Sequence, residues 1–486
     1  MVSELKTKTL SGMIWSFVQR FGTMAISFVS NIVLARLLTP DDYGTIGMLM
    51  IFIAVANTFV DGGFGSALIQ KKEPTKEDYS TIFWWNMFLS AVIYALLFMC
   101  APAIARFYNL PLLSDVLRVQ GLVLIVNALS IIQQNQLRKQ LKFKRLAAVT
   151  VTAAVLSAGI AIVLAYCGWG VWALVWQQIL LSLFTAILLW GLNKWVPSLV
   201  FSKESFKQLF GFGGFILMSS LINTLANNLQ GLLIGRFFSS ATLGYYTQAF
   251  KLEQVVSTSS STVVDQVSYP VLAKFQDDDA ALKSILKRLS SAIAFVTTPL
   301  MLIIAQVAQP AILLLYSDRW LPSAYYLQVL CMAGIAVCLQ GVSYNAVASK
   351  GKSRDLFVWT IIKRGVNVAA IVIGMVMWGM KGLIWGFVLS AWILLSVNFY
   401  LVGKHIGYSV WQQFRDLAPI FALSALVYAI VHVGCSLIDV GVYLNGAIGI
   451  VAYIIIYLGG AYMFGLKTFT DLQQVVMGYF RHERTA

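Results

Sequence analysis

Charged residues are scarce in this chain. Asp, Glu, Lys and Arg make up only 11% of the 486 residues, whereas 59% are hydrophobic, and soluble domains usually carry about a quarter charged residues. This balance excludes an ordinary soluble enzyme and predicts an integral membrane protein. Apolar runs of roughly 20 residues, the length that crosses a bilayer, recur from Ser11 almost to the end of the chain, and the segments between them are too short to fold alone.

The residue types of common catalytic and metal sites are equally sparse. Three histidines, His405, His432 and His482, are too scattered for a metal cluster or a catalytic pair. The five cysteines lie in or beside apolar runs without a C-x-x-C spacing, which predicts small core residues. The stretch "ASKGKS" (348–353) lacks the first glycine of a P-loop, because Ala346 stands at that position. We therefore expect no enzyme activity, no metal and no bound cofactor.

The apolar runs predict an all-α integral membrane protein with fourteen transmembrane helices. Interruptions by charged or proline-containing segments place these helices at about 11–35, 43–69, 79–105, 112–137, 146–167, 171–191, 207–235, 242–272, 288–315, 322–349, 355–378, 382–403, 414–437 and 442–465. An even number of spans puts both termini on the same side of the membrane.

The distribution of Lys and Arg predicts which side that is. Most of the 35 basic residues fall in one alternating set of loops. The other set, which we call the outer loops, holds only Arg36, Arg106, Arg236, Arg319 and Lys381. By the positive-inside rule, the basic loops and both termini are cytoplasmic. This asymmetry accounts for most of the net charge of +15 and makes a nucleic-acid partner unnecessary.

An internal repeat relates the two halves of the chain. The segment "VLARLLTPDDYG" (33–44) matches "LIGRFFSSATLG" (233–244), so that Gly44 aligns with Gly244 at an offset of 200 residues. Each copy of the repeat then holds six spans, and an even number gives both copies the same orientation, related by a pseudo-twofold axis along the membrane normal.

A second pair of segments continues the repeat, since "WGVWALVW" (169–176) matches "WGMKGLIW" (378–385). We predict an N-terminal six-helix lobe at 1–203, a C-terminal six-helix lobe at 204–405, and two additional helices with a cytoplasmic tail at 406–486. Two such lobes are typical of transporters that rock about a central site.

Polar side chains form stripes at helical spacing in three predicted spans, since residues at i, i+3 and i+7 share one face. The stripes are Arg20, Thr23, Ser27 and Ser30 in the first span, Ser220, Asn223, Asn227 and Gln230 in the seventh, and Lys251, Gln254, Thr258, Ser261 and Asp265 in the eighth. A central charge in lipid costs about 2.5–3.5 kcal/mol, so the stripes predict a watery cavity between the lobes. Interhelical hydrogen bonds of the uncharged side chains and snorkelling of Arg20 are the alternatives.

Other charged residues within the predicted spans are also candidates. Lys363 and Arg364 are further cations of the predicted cavity, and Arg118 is expected to pair with Asp115 at i−3. The carboxylates Asp61, Glu253 and Asp265 are either counter-ions for these cations or sites that bind a coupling H⁺ or Na⁺. For Glu253, two residues from Lys251, we expect the counter-ion role.

The N-terminal motifs resemble those of a known family. "NIVLARLLTPDDYGTIGM" (31–48) and "DGGFGSALIQKKE" (61–73) are similar to the opening of the Wzx-type polysaccharide exporters of the multidrug/oligosaccharidyl-lipid/polysaccharide superfamily, in particular the colanic acid and lipopolysaccharide exporters. The resemblance implies a V-shaped fold of two lobes. It also implies transfer of undecaprenyl-pyrophosphate-linked oligosaccharide from the cytoplasmic to the periplasmic leaflet.

The resemblance further implies site residues and partners. In related lipid II flippases, cations on the first and eighth spans receive the pyrophosphate. The residues at these positions here are Arg20 and Lys251. The lysine is the weaker match, because only an arginine side chain can bind a diphosphate with two parallel hydrogen bonds. The glycan would contact Ser27, Asn223, Asn227 and Gln230. Implied partners are membrane lipids and polysaccharide polymerase or assembly proteins, and the implied energy source is an H⁺ or Na⁺ gradient or the membrane potential.

Two other functions remain open from the sequence. A multidrug/cation antiporter of the same superfamily would prefer an acidic and aromatic cavity, whereas the predicted cavity is basic. A membrane glycan polymerase or ligase would usually have a long external loop rich in acidic residues or histidine, whereas the outer loops of this chain are short.

Overall fold

The computed structural model describes residues 2–193, 195–437 and 440–474, with backbone alone at 2–10, Phe212, 262–267 and Ser353. The regular structure in these ranges is helical. The α-helices are α1 (Val2–Leu37), α2 (Pro40–Asp61), α3 (Phe64–Gln70), α4 (Lys76–Tyr108), α5 (Leu112–Gln120), α6 (Leu122–Lys139), α7 (Phe143–Tyr166), α8 (Val171–Leu192), α9 (Lys203–Phe237), α10 (Ser240–Ala273), α11 (Asp279–Gln306), α12 (Ala308–Leu315), α13 (Pro322–Ser349), α14 (Ser353–Ile406), α15 (Val410–Leu437) and α16 (Val442–Met463).

Many of these helices have the dimensions of membrane spans. Within the described ranges, eleven helices are long and apolar enough to cross a membrane, or twelve when the bent pair Lys203–Gly211 and Gly213–Phe237 counts as one span. One of the eleven covers Arg354–Ile406 and contains a break at Trp378 and Gly379, where Gly379 has φ +60°. That break is the predicted boundary between the eleventh and twelfth spans. The chain is a multi-pass, all-α membrane protein as predicted, and the total of fourteen spans stays a prediction.

Glycine interrupts the predicted second span. The sequence predicts one continuous helix over 43–69, but α2 and α3 are separated by Gly62 and Gly63, with φ of +57° and +70°. Residues with a Cβ rarely adopt these angles. A Cβ on Gly63 would also collide with the carbonyl oxygen of Gly213 in α9. The second span is therefore two helices, and the backbone of α9 passes close to the break between them.

The chain divides into two compact units, residues 1–244 and 245–486. In the first unit α1 packs against α7, α7 against α8, and α9 against α2, α3 and α4. In the second unit α13 packs against α11 and α14, and the appended helices α15 and α16 both pack against α11. The seventh span thus packs with the helices of the first repeat, and the predicted lobe boundary between 203 and 204 stays a prediction.

Aromatic side chains hold the beginning of α9 in the first unit. Phe206 lies with its ring 4.6 Å from that of Trp85 and 5.9 Å from that of Phe64. Just before α9, the Trp84 indole donates a hydrogen bond of 2.9 Å to the carbonyl oxygen of Ser198. Burial of such large rings contributes strongly to packing energy. This explains why the beginning of α9 packs as part of the first unit.

Polar contacts at the basic-loop end of the second unit attach the appended helices. The Lys287 ammonium of α11 lies 2.9 Å from Asp416 of α15. The Tyr408 hydroxyl donates a 2.7 Å hydrogen bond to the same carboxylate, and burial together with this bond raises the pKa of Tyr408. Asp416 therefore connects α11, α15 and the loop that precedes α15.

Candidate substrate-binding site

The polar stripe of α1 divides into an exposed and a buried part. Arg20 and Ser27 are exposed on one side of the helix. Ser30 is buried, and its hydroxyl accepts a 2.9 Å hydrogen bond from the amide of Gln177 in α8. Thr23 donates to a backbone carbonyl of its own helix. The buried end thus serves interhelical hydrogen bonding, while Arg20 and Ser27 stay exposed.

The stripe of α9 is exposed in its middle part and half-buried at Ser220. Asn223 and Asn227 are exposed, whereas Gln230 is buried. Directly after Asn223, the Thr224 hydroxyl lies 3.1 Å from the hydroxyl of Thr58 in α2. One edge of the polar stripe therefore joins α9 to α2, and the two asparagines remain on the open side.

A polar group in α2 was missed by the sequence reasoning. The Asn127 amide of α6 donates a 3.0 Å hydrogen bond to the side-chain oxygen of Asn57, which lies beside Thr58. Asp61, at the end of the same helix, is exposed. The sequence signal for this group is an asparagine inside an apolar run. The contacts of Asn57 and Thr58 show that α2 carries polar groups toward both α6 and α9.

The stripe of α10 is exposed at its first three residues and half-buried at Ser261. Lys251, Gln254 and Thr258 are exposed, whereas Glu253 and Ser257 are buried. The side chain of Asp265 lies outside the described residues, as do the whole residues Arg481, His482 and Arg484.

Glu253 faces the interior of the second unit. Its side chain is 5% exposed and hydrogen-bonds to Ser257. A Cβ on Gly334 of α13 would come within 2.5 Å of a Glu253 carboxylate oxygen. Residues two apart on an α-helix point about 200° from each other, so Glu253 and Lys251 lie on opposite faces of α10. The counter-ion role expected for Glu253 stays a prediction.

The remaining candidate cations differ in their surroundings. Lys363 is only 8% exposed and donates a 2.8 Å hydrogen bond to the side-chain oxygen of Asn398. Arg364 is half-buried. Arg118 lies 4.0 Å from Asp115, which confirms the predicted pair. Lys363 is therefore part of the packing between the two halves of α14.

Each unit presents a cation on an exposed helix face. Arg20, Ser27, Asp61, Asn223, Asn227 and Gln230 belong to the first unit, and Lys251, Glu253, Lys363 and Arg364 belong to the second. A guanidinium and an ammonium form charge-assisted hydrogen bonds with phosphate oxygens, whereas asparagine amides donate to and accept from hydroxyl groups. These groups have the chemistry to bind a phosphorylated glycan.

Known proteins share sequence and fold with this chain. A family model described as "Polysaccharide biosynthesis protein" matches residues 33–325. The teichuronic acid biosynthesis protein TuaB of Bacillus subtilis is 26% identical over 440 residues, covering 89% of this chain and 90% of TuaB. The lipopolysaccharide biosynthesis protein WzxC of Escherichia coli is 25% identical over 417 residues, covering 85% and 84%. The structure of the lipid II flippase MurJ in an inward closed conformation superposes with a TM-score of 0.75 at 15% identity, covering 95% of this chain and 99% of MurJ.

Proposed function

We propose that this chain, which belongs to the polysaccharide biosynthesis protein family, flips lipid-linked oligosaccharide. The match to this family confirms the resemblance seen in the N-terminal motifs. Its substrate would be undecaprenyl-pyrophosphate-linked oligosaccharide, moved from the cytoplasmic to the periplasmic leaflet by alternating access for surface polysaccharide synthesis. The observation that carries the proposal is the fold shared with a lipid II flippase over 95% of the chain.

In this proposal the pyrophosphate is bound by Arg20 and Lys251. A diphosphate that enters a region of low dielectric constant needs cations to offset its lost hydration. Arg20 offers a planar fork that matches two phosphate oxygens, and Lys251 offers a single point of charge. Both side chains are exposed, which supports access by a ligand. Ser27, Asn223 and Asn227 then face the sugar hydroxyls, with Arg364 as a further cation.

Transfer of lipid-linked oligosaccharide across proteoliposomes tests the proposal. We expect Arg20→Ala and Lys251→Ala each to reduce the transfer rate at least tenfold, with Arg20→Lys intermediate. Arg118→Ala is the matched control, because Arg118 is an arginine paired with Asp115 at the end of a different helix. Rates like wild type in both alanine variants would overturn the site assignment. Export of a cationic dye without glycan transfer would identify an antiporter instead.

We propose that a carboxylate couples transport to an ion gradient, with Glu253 as the first candidate and Asp61 and Asp265 as the others. Glu253 is buried beside Ser257 and Gly334, and a buried carboxylate carries a charge only at high cost unless it binds a proton or cation. In proteoliposomes, Glu253→Gln should abolish the dependence of transfer on a pH or Na⁺ gradient. An unchanged dependence in this variant would exclude Glu253.

The proposal includes the place of the protein in the cell. We infer that it lies in the bacterial inner membrane with both termini in the cytoplasm, from the concentration of basic residues in alternate loops. The flipped substrate would then pass to polysaccharide polymerase or assembly proteins at the outer face.

A further inference from the structure

A polar crevice lies at the outer-loop end of the second unit. It has a volume of about 260 Å³ and is formed by the outer ends of α11, α12, α13, α15 and α16. Its polar lining consists of Gln306, Gln309, Gln328, His432, Ser436 and Asn445. The two appended helices, α15 and α16, supply three of these side chains, so the crevice exists only because those helices pack against the rest of the unit.

The lining has the chemistry of a site for a neutral, hydroxyl-rich ligand. Its four amides each offer both donors and acceptors, which matches sugar hydroxyls, since these also donate and accept. Among the described residues that line the crevice, none is Lys, Arg, Asp or Glu. A phosphate or carboxylate would need a cation to offset its lost hydration, so the lining favours an uncharged sugar. Pockets for drug-sized ligands measure about 300–1,000 Å³, and this smaller crevice suits one or two sugar rings.

Contacts around the crevice hold its side chains in place. The His432 Nδ1 atom lies 3.2 Å from the Gln306 side-chain oxygen. The Tyr428 ring stacks on the imidazole of His432 with centroids 5.7 Å apart and planes inclined by 11°. A Cβ on Gly446 would lie 2.8 Å from the Pro310 ring, so glycine lets α16 approach α12 closely. Gln306 and His432 are therefore ordered before a ligand arrives, which reduces the entropic cost of binding.

We propose that this crevice binds an uncharged sugar residue of the glycan on the outer face, after the lipid-linked substrate has been moved. The inference rests on the proposed flippase function. It assigns to α15 and α16 a role in contacting the product glycan, separate from the cations that receive the pyrophosphate.

A cysteine in the crevice provides the test. Cys435 lines the crevice and is partly exposed, whereas Cys331 and Cys338 are buried and Cys100 and Cys167 are exposed elsewhere. In a chain that retains Cys435 alone, purified in detergent, we expect millimolar maltotriose to slow labelling by a methanethiosulfonate reagent several-fold. Inorganic pyrophosphate should leave the labelling rate unchanged. A chain that retains Cys167 alone is the matched control, and maltotriose should not protect it.

Substitution of the amides completes the test. Gln309→Leu together with Gln328→Leu should remove the protection by maltotriose while the melting temperature stays near that of the parent. Absence of protection in the parent, equal protection in the leucine variant, or equal protection by pyrophosphate would each overturn the inference. If the chain with one cysteine fails to fold, saturation-transfer NMR of maltotriose with the wild type and with Gln328→Leu gives the same comparison.

The test is independent of transport. Normal glycan transfer in proteoliposomes without any sugar protection would overturn the crevice assignment alone. Sugar protection without glycan transfer would overturn the proposed function and leave the crevice as a binding site for neutral sugar.

Discussion

Gly44 and Gly244 occupy reciprocal positions where the first turns of α2 and α10 cross. A Cβ on Gly44 would collide with the carbonyl oxygen of Ser240, and a Cβ on Gly244 would collide with that of Pro40. Gly44 thus meets the residue four positions before Gly244, and Gly244 meets the residue four positions before Gly44. Ser240 also donates a hydrogen bond to Asp41. The two segments that the offset of 200 residues aligns therefore contact each other through equivalent positions.

Enlarging either glycine should loosen this crossing. In Gly44→Ala and Gly244→Ala the new methyl group meets a backbone oxygen that cannot move aside, and overpacking typically costs about 1–3 kcal/mol. We expect a lower melting temperature in detergent for both variants. Gly159→Ala is the control, because nothing lies within 4 Å of a Cβ at that position of α7. Equal stability of Gly44→Ala and Gly159→Ala would contradict the crossing.

The break between α2 and α3 should be equally sensitive. Gly63→Ala introduces a Cβ at φ +70° and toward the Gly213 carbonyl, and a strained backbone residue costs about 1–3 kcal/mol. Thermal unfolding should show a clear loss of stability. Gly211→Ala, in the same helix as Gly213 but with no atom within 4 Å of its Cβ, should be close to neutral. A loss of similar size in Gly211→Ala would refute this explanation.

The Lys363 to Asn398 hydrogen bond should stabilise the packing of the two halves of α14. Asn398→Leu leaves a buried ammonium without this acceptor, and hydrogen bonds to charged groups contribute about 1.5–3 kcal/mol. The double variant Lys363→Met with Asn398→Leu removes both partners and should recover most of the lost stability. The melting temperatures of wild type, the two single variants and the double variant form a double-mutant cycle. Additive losses of stability would show that the two side chains do not interact.

Gly334 should control the position of the Glu253 carboxylate. Gly334→Ala places a methyl group within 2.5 Å of a Glu253 oxygen and 2.8 Å of Met301, so the carboxylate must shift. We expect the variant to weaken the gradient dependence of transfer in the same direction as Glu253→Gln. In a Glu253→Gln background the additional Gly334→Ala change should have little further effect on that dependence. A full second effect there would separate Gly334 from the role of Glu253.

Reporter fusions test the predicted orientation. A green fluorescent protein fused to the C-terminus should fluoresce, and alkaline phosphatase at the same place should be inactive, because the basic loops predict a cytoplasmic terminus. Alkaline phosphatase fused after Gly168, in a predicted outer loop, should be active and serves as the control. The opposite pattern would reverse the orientation.

The sequence was sufficient for the all-α membrane class and for the polar stripes of α1 and α10, whereas the internal repeat stays a prediction. These features depend on local patterns, because the 3.6-residue period of a helix decides which residues share a face. Arg20, Ser27 and Lys251 are exposed, and the watery cavity that their stripes predict stays a prediction. The same period could not show that Ser30 would be buried against Gln177, since that depends on a helix far away in the chain.

Tertiary structure decided the partners of the polar groups and the breaks in the helices. Lys363 bonds to Asn398 and Glu253 lies against Gly334 because distant segments pack beside them. Gly62 and Gly63 end a helix that an apolar run alone would continue. Local sequence determines which face of a helix is polar, whereas the neighbour that this face meets depends on packing between segments far apart in the chain.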